Sequence, residues 1–214
     1  KSKTSSLEGI KLGIPPPPKT PLFLGALGPK MLSLAGELAD GVALNWCTPE
    51  QIQWSREKIN EGADISNRNP SDITVSQYIR VCIDKDEEKA RIKLAKATMH
   101  YALGPDIPNS SQRKYGYRAH FERMGFSEEL LKLDKMRKNN ASNDEIAKAF
   151  PEKILKSVGY YGNSIGAAKE ISKLSKGLDN LIVRIVSSQP GDIDSALEII
   201  KACAPNKIEE HIHA

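Results

Sequence analysis

The residues whose types and spacing could do chemistry sit at the ends of apolar runs. Residues 22–46 read LFLGALGPKMLSLAGELADGVALNW. An apolar run reaches Gly25, turns through Ala26, Leu27 and Gly28, and opens a helix at Pro29 and Lys30. The first N–H groups of a helix have no partner within it, and the helix dipole favours an anion there. Gly25 and Gly28 have no side chain to keep a ligand off the backbone. The pattern therefore suits an anionic group, with Lys30 as a candidate positive charge. The same residues also suit an ordinary strand-to-helix turn, common in α/β proteins. Asn45 and Trp46 end the next apolar run, where an amide can contact a ligand and an indole can stack on one or fill the core. Arg80 and Arg184 each interrupt an apolar run. A charge there must be paired or reach a wet cavity. An anionic substrate or a structural carboxylate would satisfy that need.

Other chemistry-bearing residues read as packing. His100, Tyr101, Tyr115, Tyr117 and His120 fall in a long helical stretch. His211 and His213 fall in a terminal tail, and no metal site is expected. Cys47, Cys82 and Cys203 lie far apart, without the spacing of a disulfide framework or a zinc site. Reduced thiols in a cytoplasm are the expectation. No G-x-S-x-G, H-E-x-x-H or P-loop occurs.

The elements that must position these residues alternate. Residues 21–26 read as a strand bounded by proline and glycine. Residues 29–39 read as a helix with Met31, Leu34, Ala35 and Leu38 on one face, and Pro29 suits its first position. Residues 42–46 form a second strand. Thr48-Pro-Glu-Gln51 has the form of a capping box for a helix to about Glu61. A third strand spans 73–83, and Asp84 is placed to cap the helix that follows. A helical excursion then covers about 86–158, with a polar, loop-like middle. A helix over 164–176, an apolar strand over 181–186 and a helix over 190–204 follow. The last helix places Ile193, Ala196, Leu197 and Ile200 on one face. Residues 1–20 form a proline-rich lead-in, 21–205 the domain and 206–214 a tail. Short apolar strands separated by helices argue for an α/β fold with a parallel sheet under helices. Both a doubly wound sheet and a barrel fit, and the lack of G-x-G-x-x-G weakens a dinucleotide fold.

Bulk properties set the class. The chain has 214 residues, 39% hydrophobic and 27% charged, which suits a globular protein with a real core. The net charge of +4 is spread along the chain, so no nucleic-acid or membrane partner is expected. No run approaches the roughly 18 apolar residues of a membrane helix.

PLFLGALGPKMLSLAGELADGVALNW resembles a segment of the bacterial luciferase-like monooxygenase family, most of all its deazaflavin-dependent branch, which includes methylenetetrahydromethanopterin reductase. YIRVCIDKDEEKARIKLAKATMHYAL and YYGNSIGAAKEISKLSKGLDNLIVRIV resemble later segments, in the right order. The resemblance implies a (β/α)8 TIM barrel, of which this chain covers about strands 5–8 plus the helical excursion. It implies an oxidoreductase passing a hydride between coenzyme F-420, or alternatively FMN, and a small organic substrate. By resemblance Gly25, Ala26, Leu27, Gly28, Pro29 and Lys30 line the cofactor's phosphate site, and Asn45 makes a polar cofactor contact. Trp46 and Arg184 are the candidate substrate contacts. No catalytic residue is assigned, because relatives place much of that apparatus in the first half. The remaining alternative is a non-catalytic half-barrel or accessory subunit that keeps the phosphate-binding turn. Either way a homo-oligomer, or pairing with the missing barrel half, is expected.

Overall fold

A computed structural model describes Gly13 and residues 20–105, 109–189 and 191–212. The expected lead-in lies outside the described residues except for Gly13 and Thr20. Strand β1 (Phe23–Gly25) is followed by helix α1 (Pro29–Leu38), β2 (Gly41–Asn45), α2 (Pro49–Ile65) and β3 (Thr74–Ile83). Among the described residues the excursion is six helices: α3 (Glu87–Leu103), α4 (Ser110–Tyr115), α5 (Tyr117–Arg123), α6 (Ser127–Lys138), α7 (Asn143–Ala149) and α8 (Glu152–Val158). Then come β4 (Gly159–Gly162), α9 (Ser164–Leu174), β5 (Asn180–Ile185), α10 (Ile193–Ala202) and α11 (Pro205–Ile212). Strand β4 and helix α11 are not in the sequence expectation. Residues 206–212, expected as a tail, are helical, and Ile208 buries against the core beside α9 and α10. The cap of α3 is Asp86, which accepts from the Lys89 N–H, while Asp84 braces the same turn through the Asp86 N–H.

Every strand pairing is parallel, as expected of strands separated by helical crossovers. The order is β1-β2-β3-β4, with β5 also on β3. β2 pairs with Thr74–Tyr78 and β5 with Ser76–Val81, so these two take opposite edges of β3. β4 pairs with Arg80–Ile83 on the edge that β2 has left. All strand ends point one way, and the loops that follow them gather on one rim.

Register divides the sheet into two faces. Phe23, Gly25, Ala43, Asn45, Ser76, Tyr78, Arg80, Ile182 and Arg184 share one face. Leu24, Val42, Leu44, Val75, Val81 and Val183 share the other and meet the helices, and Ile79 on the same face is buried. The first face is covered only in part: Phe23, Tyr78 and Ile182 are exposed, while Ser76 and Arg80 are buried. The sheet is an arc that does not close into a barrel among the described residues, as expected of half a barrel.

The helix faces depart from expectation. α1 buries Leu32, Ala35 and Gly36, while Met31 and Leu38 are exposed. The cause is close contact with α2. A Cβ on Gly36 would sit 2.0 Å from the Ile59 carbonyl oxygen, and one on Gly62 would sit 1.9 Å from that of Ser33. Two glycines thus bring the helix backbones together and set which face turns inward. α10 buries Ser195, Ile199 and Ala202, and leaves Ile193, Leu197 and Ile200 exposed. Both expected stripes exist, but they lie on the flanks of the open arc, where nothing described covers them. Among the described residues no helix is long and apolar enough to cross a membrane.

Candidate functional site

The turn after β1 forms on the rim. Gly28 is the N-cap of α1 in extended conformation, no side chain caps the helix, and Pro29 occupies its first turn. The Gly28 carbonyl accepts from the Leu32 N–H at 3.0 Å, so the N–H groups of Lys30 and Met31 lie before the first intrahelical bond. A Cβ added at Gly25 or Gly28 would meet nothing within 4 Å, so open space faces both. Ala26 is buried, and the half-buried Leu27 side chain packs against the core under α1 and α2. Pro29 and Lys30 are exposed.

Beside the turn, the end of β2 carries a polar and aromatic network. Asn45 Nδ2 donates to the Tyr117 hydroxyl at 2.9 Å, and Asn45 Oδ1 accepts from Arg80 Nη1 at 2.6 Å. The Arg80 guanidinium lies over the Trp46 ring, 3.6 Å from its centroid. Trp46 is fully buried, packs against Tyr101 and Phe121, and holds a left-handed backbone at φ 58°. Tyr101 meets Tyr117 edge-on at 4.8 Å. A buried mid-strand cation is thus held by a ring face and an amide, a contact worth about 2 kcal/mol where desolvated. Among the described residues Arg80 has no carboxylate partner. Burial, and then the nearby Arg184 charge, push its pKa down to about 10. Arg184 is its register partner on β5, exposed on the same face, with no hydrogen bond or ion pair among the described residues.

Helix α5 latches these loops together. His120 is buried, and its Nε2 lies 3.0 Å from the Trp46 carbonyl oxygen. A carbonyl only accepts, so Nε2 carries the proton and Nδ1 is an acceptor. Arg123 Nη2 approaches that Nδ1 at 3.4 Å and donates to the Leu27 carbonyl at 3.2 Å. Burial, reinforced by the Arg123 charge, pushes the His120 pKa down to about 4, against the backbone carbonyls it meets. Cys47 Sγ lies 3.7 Å from His120 Nε2, which superficially resembles a catalytic pair. Burial raises that thiol to about 12, so it stays protonated and serves as packing. Gln77 clamps the Cys47 backbone through both its N–H and its C=O.

The structure therefore brings Leu27, Asn45, Trp46 and Arg80 to one rim and adds Tyr101, Tyr117, His120 and Arg123. Tyr101, Tyr117 and His120 read as packing in the sequence, and Arg123 drew no attention. The available signal was Tyr117, His120 and Arg123 recurring every three residues on one short helix face.

A luciferase-like monooxygenase family profile matches residues 7–178. The chain belongs to this family. It is 27% identical over 186 residues to the 5,10-methylenetetrahydromethanopterin reductase of Archaeoglobus fulgidus, covering 85% of this chain and 52% of that protein. The structure of the coenzyme F-420 dependent tetrahydromethanopterin reductase from Methanopyrus kandleri matches with a TM-score of 0.60 at 24% identity, over 90% of this chain and 51% of that one. An F-420-dependent secondary alcohol dehydrogenase, solved with an F-420–acetone adduct, matches with a TM-score of 0.66 at 19% identity, over 97% of this chain and 55% of that one. These structural likenesses establish the fold, a luciferase-like TIM barrel present here in part. The chain spans about half the length of the relatives it matches.

Proposed function

We propose that this chain forms the half of a luciferase-like oxidoreductase barrel that binds the phosphate of a deazaflavin, coenzyme F-420, with FMN as the alternative. The observation that carries the reading is the uncapped turn at Gly25–Lys30, open to a ligand and backed by free helix N–H groups. The residues fit the group: two side-chain-free positions face open space, and the one bulky residue between them, Leu27, packs against the core. The deazaflavin-dependent relatives favour the deazaflavin.

A bound deazaflavin would supply the hydride chemistry for a small organic substrate. The residues of this chain orient and shield that exchange. The Lys30 and Met31 N–H groups would hold the phosphate, and Lys30 would add a positive charge. Asn45, fixed between Arg80 and Tyr117, contacts the cofactor. Trp46 stacks Arg80 in place, and Tyr101 and Tyr117 wall the rim against water. Arg184 offers its unpartnered guanidinium to substrate at the open face.

The partly covered sheet face supports a requirement for a partner: four further strand–helix units that close the barrel over Phe23, Tyr78 and Ile182 and cover the stripes on α1 and α10. The exposed stripes equally favour the second reading, an accessory half-barrel that binds the phosphate group without turning over substrate.

The test is Gly28→Glu in the full-length protein. At φ −98° and with open space at the Cβ, the substitution leaves the fold intact and puts a carboxylate where the phosphate belongs. F-420 binding, followed by fluorescence, weakens at least about tenfold. Unchanged binding refutes the turn as the phosphate site.

A further inference from the structure

The start of α2 borders a cavity of about 630 Å³, within the usual size range for small-molecule sites. Thr48, Gln51 and Trp54 form its α2 wall. Met124 and Phe126, at the junction of α5 and α6, form another, and α8 contributes Ser157. Every lining residue is described, and so are its neighbours along the chain. No residue of the turn at Gly25–Lys30 lines the cavity, although Arg123 touches both through its bond to the Leu27 carbonyl.

Gln51 sets the chemistry. It is only 8% exposed. Its main chain is engaged: the N–H donates to the Thr48 hydroxyl at 3.2 Å, and the C=O accepts from the Ser55 hydroxyl at 2.7 Å. Its side chain is not, for the buried Nε2 has no hydrogen-bond partner among the described residues. A bare buried donor is unfavourable, because its bond to water is lost and nothing replaces it. The last torsion of a glutamine is soft, so the amide can turn a donor and an acceptor, side by side, to the cavity. Trp54, Met124 and Phe126 give the same cavity aromatic and thioether surface. The charges on the wall do not select an ion. Lys153 pairs with Glu129 at 3.1 Å, Arg123 is committed to Leu27, and Glu50 carries the opposite sign.

We infer that this cavity binds an uncharged, aminated nitrogen heterocycle of the adenine type. Such a ring sets an N–H donor beside an acceptor nitrogen, which complements a glutamine amide. Its faces suit the indole, phenyl and thioether groups around it. The inference stands apart from the proposed cofactor reading. It rests on an unpaired buried amide in an apolar cavity outside the phosphate turn.

The test uses the full-length protein with adenosine as probe, titrated calorimetrically beside purine riboside, which lacks the amino group. F-420 is titrated on the same samples. Gln51→Leu removes the amide at similar volume. Replacing an unpaired buried polar group with an apolar one is neutral or stabilising, so this variant should melt at or above the wild-type temperature. Adenosine is expected to bind, with purine riboside about tenfold weaker and adenosine itself about tenfold weaker on Gln51→Leu. Gly28→Glu leaves adenosine binding unchanged, and F-420 does not displace it. No adenosine binding, equal affinity for the two ribosides, unchanged binding by Gln51→Leu, or displacement by F-420 overturns the inference. A melting temperature of Gln51→Leu well below wild type also overturns it, because the amide is then bonded within the protein. Adenosine binding without F-420 binding supports the cavity and refutes the proposed function. F-420 binding without adenosine binding overturns the cavity alone.

Discussion

Replacing Arg123 with alanine tests whether α5 acts as a latch on the phosphate turn. Arg123 Nη2 donates to the Leu27 carbonyl at 3.2 Å and reaches His120 Nδ1 at 3.4 Å. A hydrogen bond from a charged donor contributes roughly 1.5–3 kcal/mol when well buried. Arg123 is exposed, so the Leu27 contact is discounted to about 1 kcal/mol, and the long approach to His120 adds little. If that energy holds the turn in its binding geometry, it appears in the cofactor dissociation constant as a weakening of about fivefold. Arg123→Lys keeps the charge but loses the planar fork that spans both acceptors, and should fall between. The assay is an F-420 fluorescence titration of the full-length protein, run beside a thermal melt. A dissociation constant unchanged within error, together with a lowered melting temperature, refutes the latch and leaves Arg123 a purely structural residue.

Three further expectations concern the scaffold. Gly36→Val drives a side chain into the Ile59 backbone, 2.0 Å from an ideal Cβ, and should cost about 3 kcal/mol of unfolding free energy by denaturant titration. Asn45→Leu removes the acceptor of Arg80 and the donor to Tyr117, and should cost about 2 kcal/mol by the same measurement. His120 titrates near 4 in the folded chain against an ordinary 6.5, so below pH 6.5 the unfolded state binds the proton first. Stability is therefore complete above pH 6.5 and declines by about 3 kcal/mol as pH falls to about 4, a slope that His120→Gln should flatten in urea melts.

The sequence shows where apolar stripes run, but periodicity cannot say which stripe is covered. On α1 the stripe through Met31, Leu34, Ala35 and Leu38 is the stronger pattern, yet of these only Ala35 is fully buried, and the face of Leu32, Ala35 and Gly36 turns inward. Glycine and alanine carry little hydrophobic signal, and only the contact with Gly62 shows why they win. On α10 the large residues Ile193, Leu197 and Ile200 lie on a surface that nothing among the described residues covers. Strand β4 is four residues with glycine at both ends, too short to announce itself by alternation. The turn at Gly25–Lys30 was legible because its signal is local: strand end, glycines and a proline at the first helical position. The Arg80–Arg184 register and the reach of Arg123 to Leu27 were not, because they join residues 104 and 96 positions apart, respectively.

The most direct measurement is a crystal structure of the full-length protein grown with F-420. The cofactor phosphate is expected within hydrogen-bond distance of the Lys30 and Met31 N–H groups, against Gly25 and Gly28, with Arg123 still donating to Leu27. A cofactor bound elsewhere, with this turn empty, would contradict it.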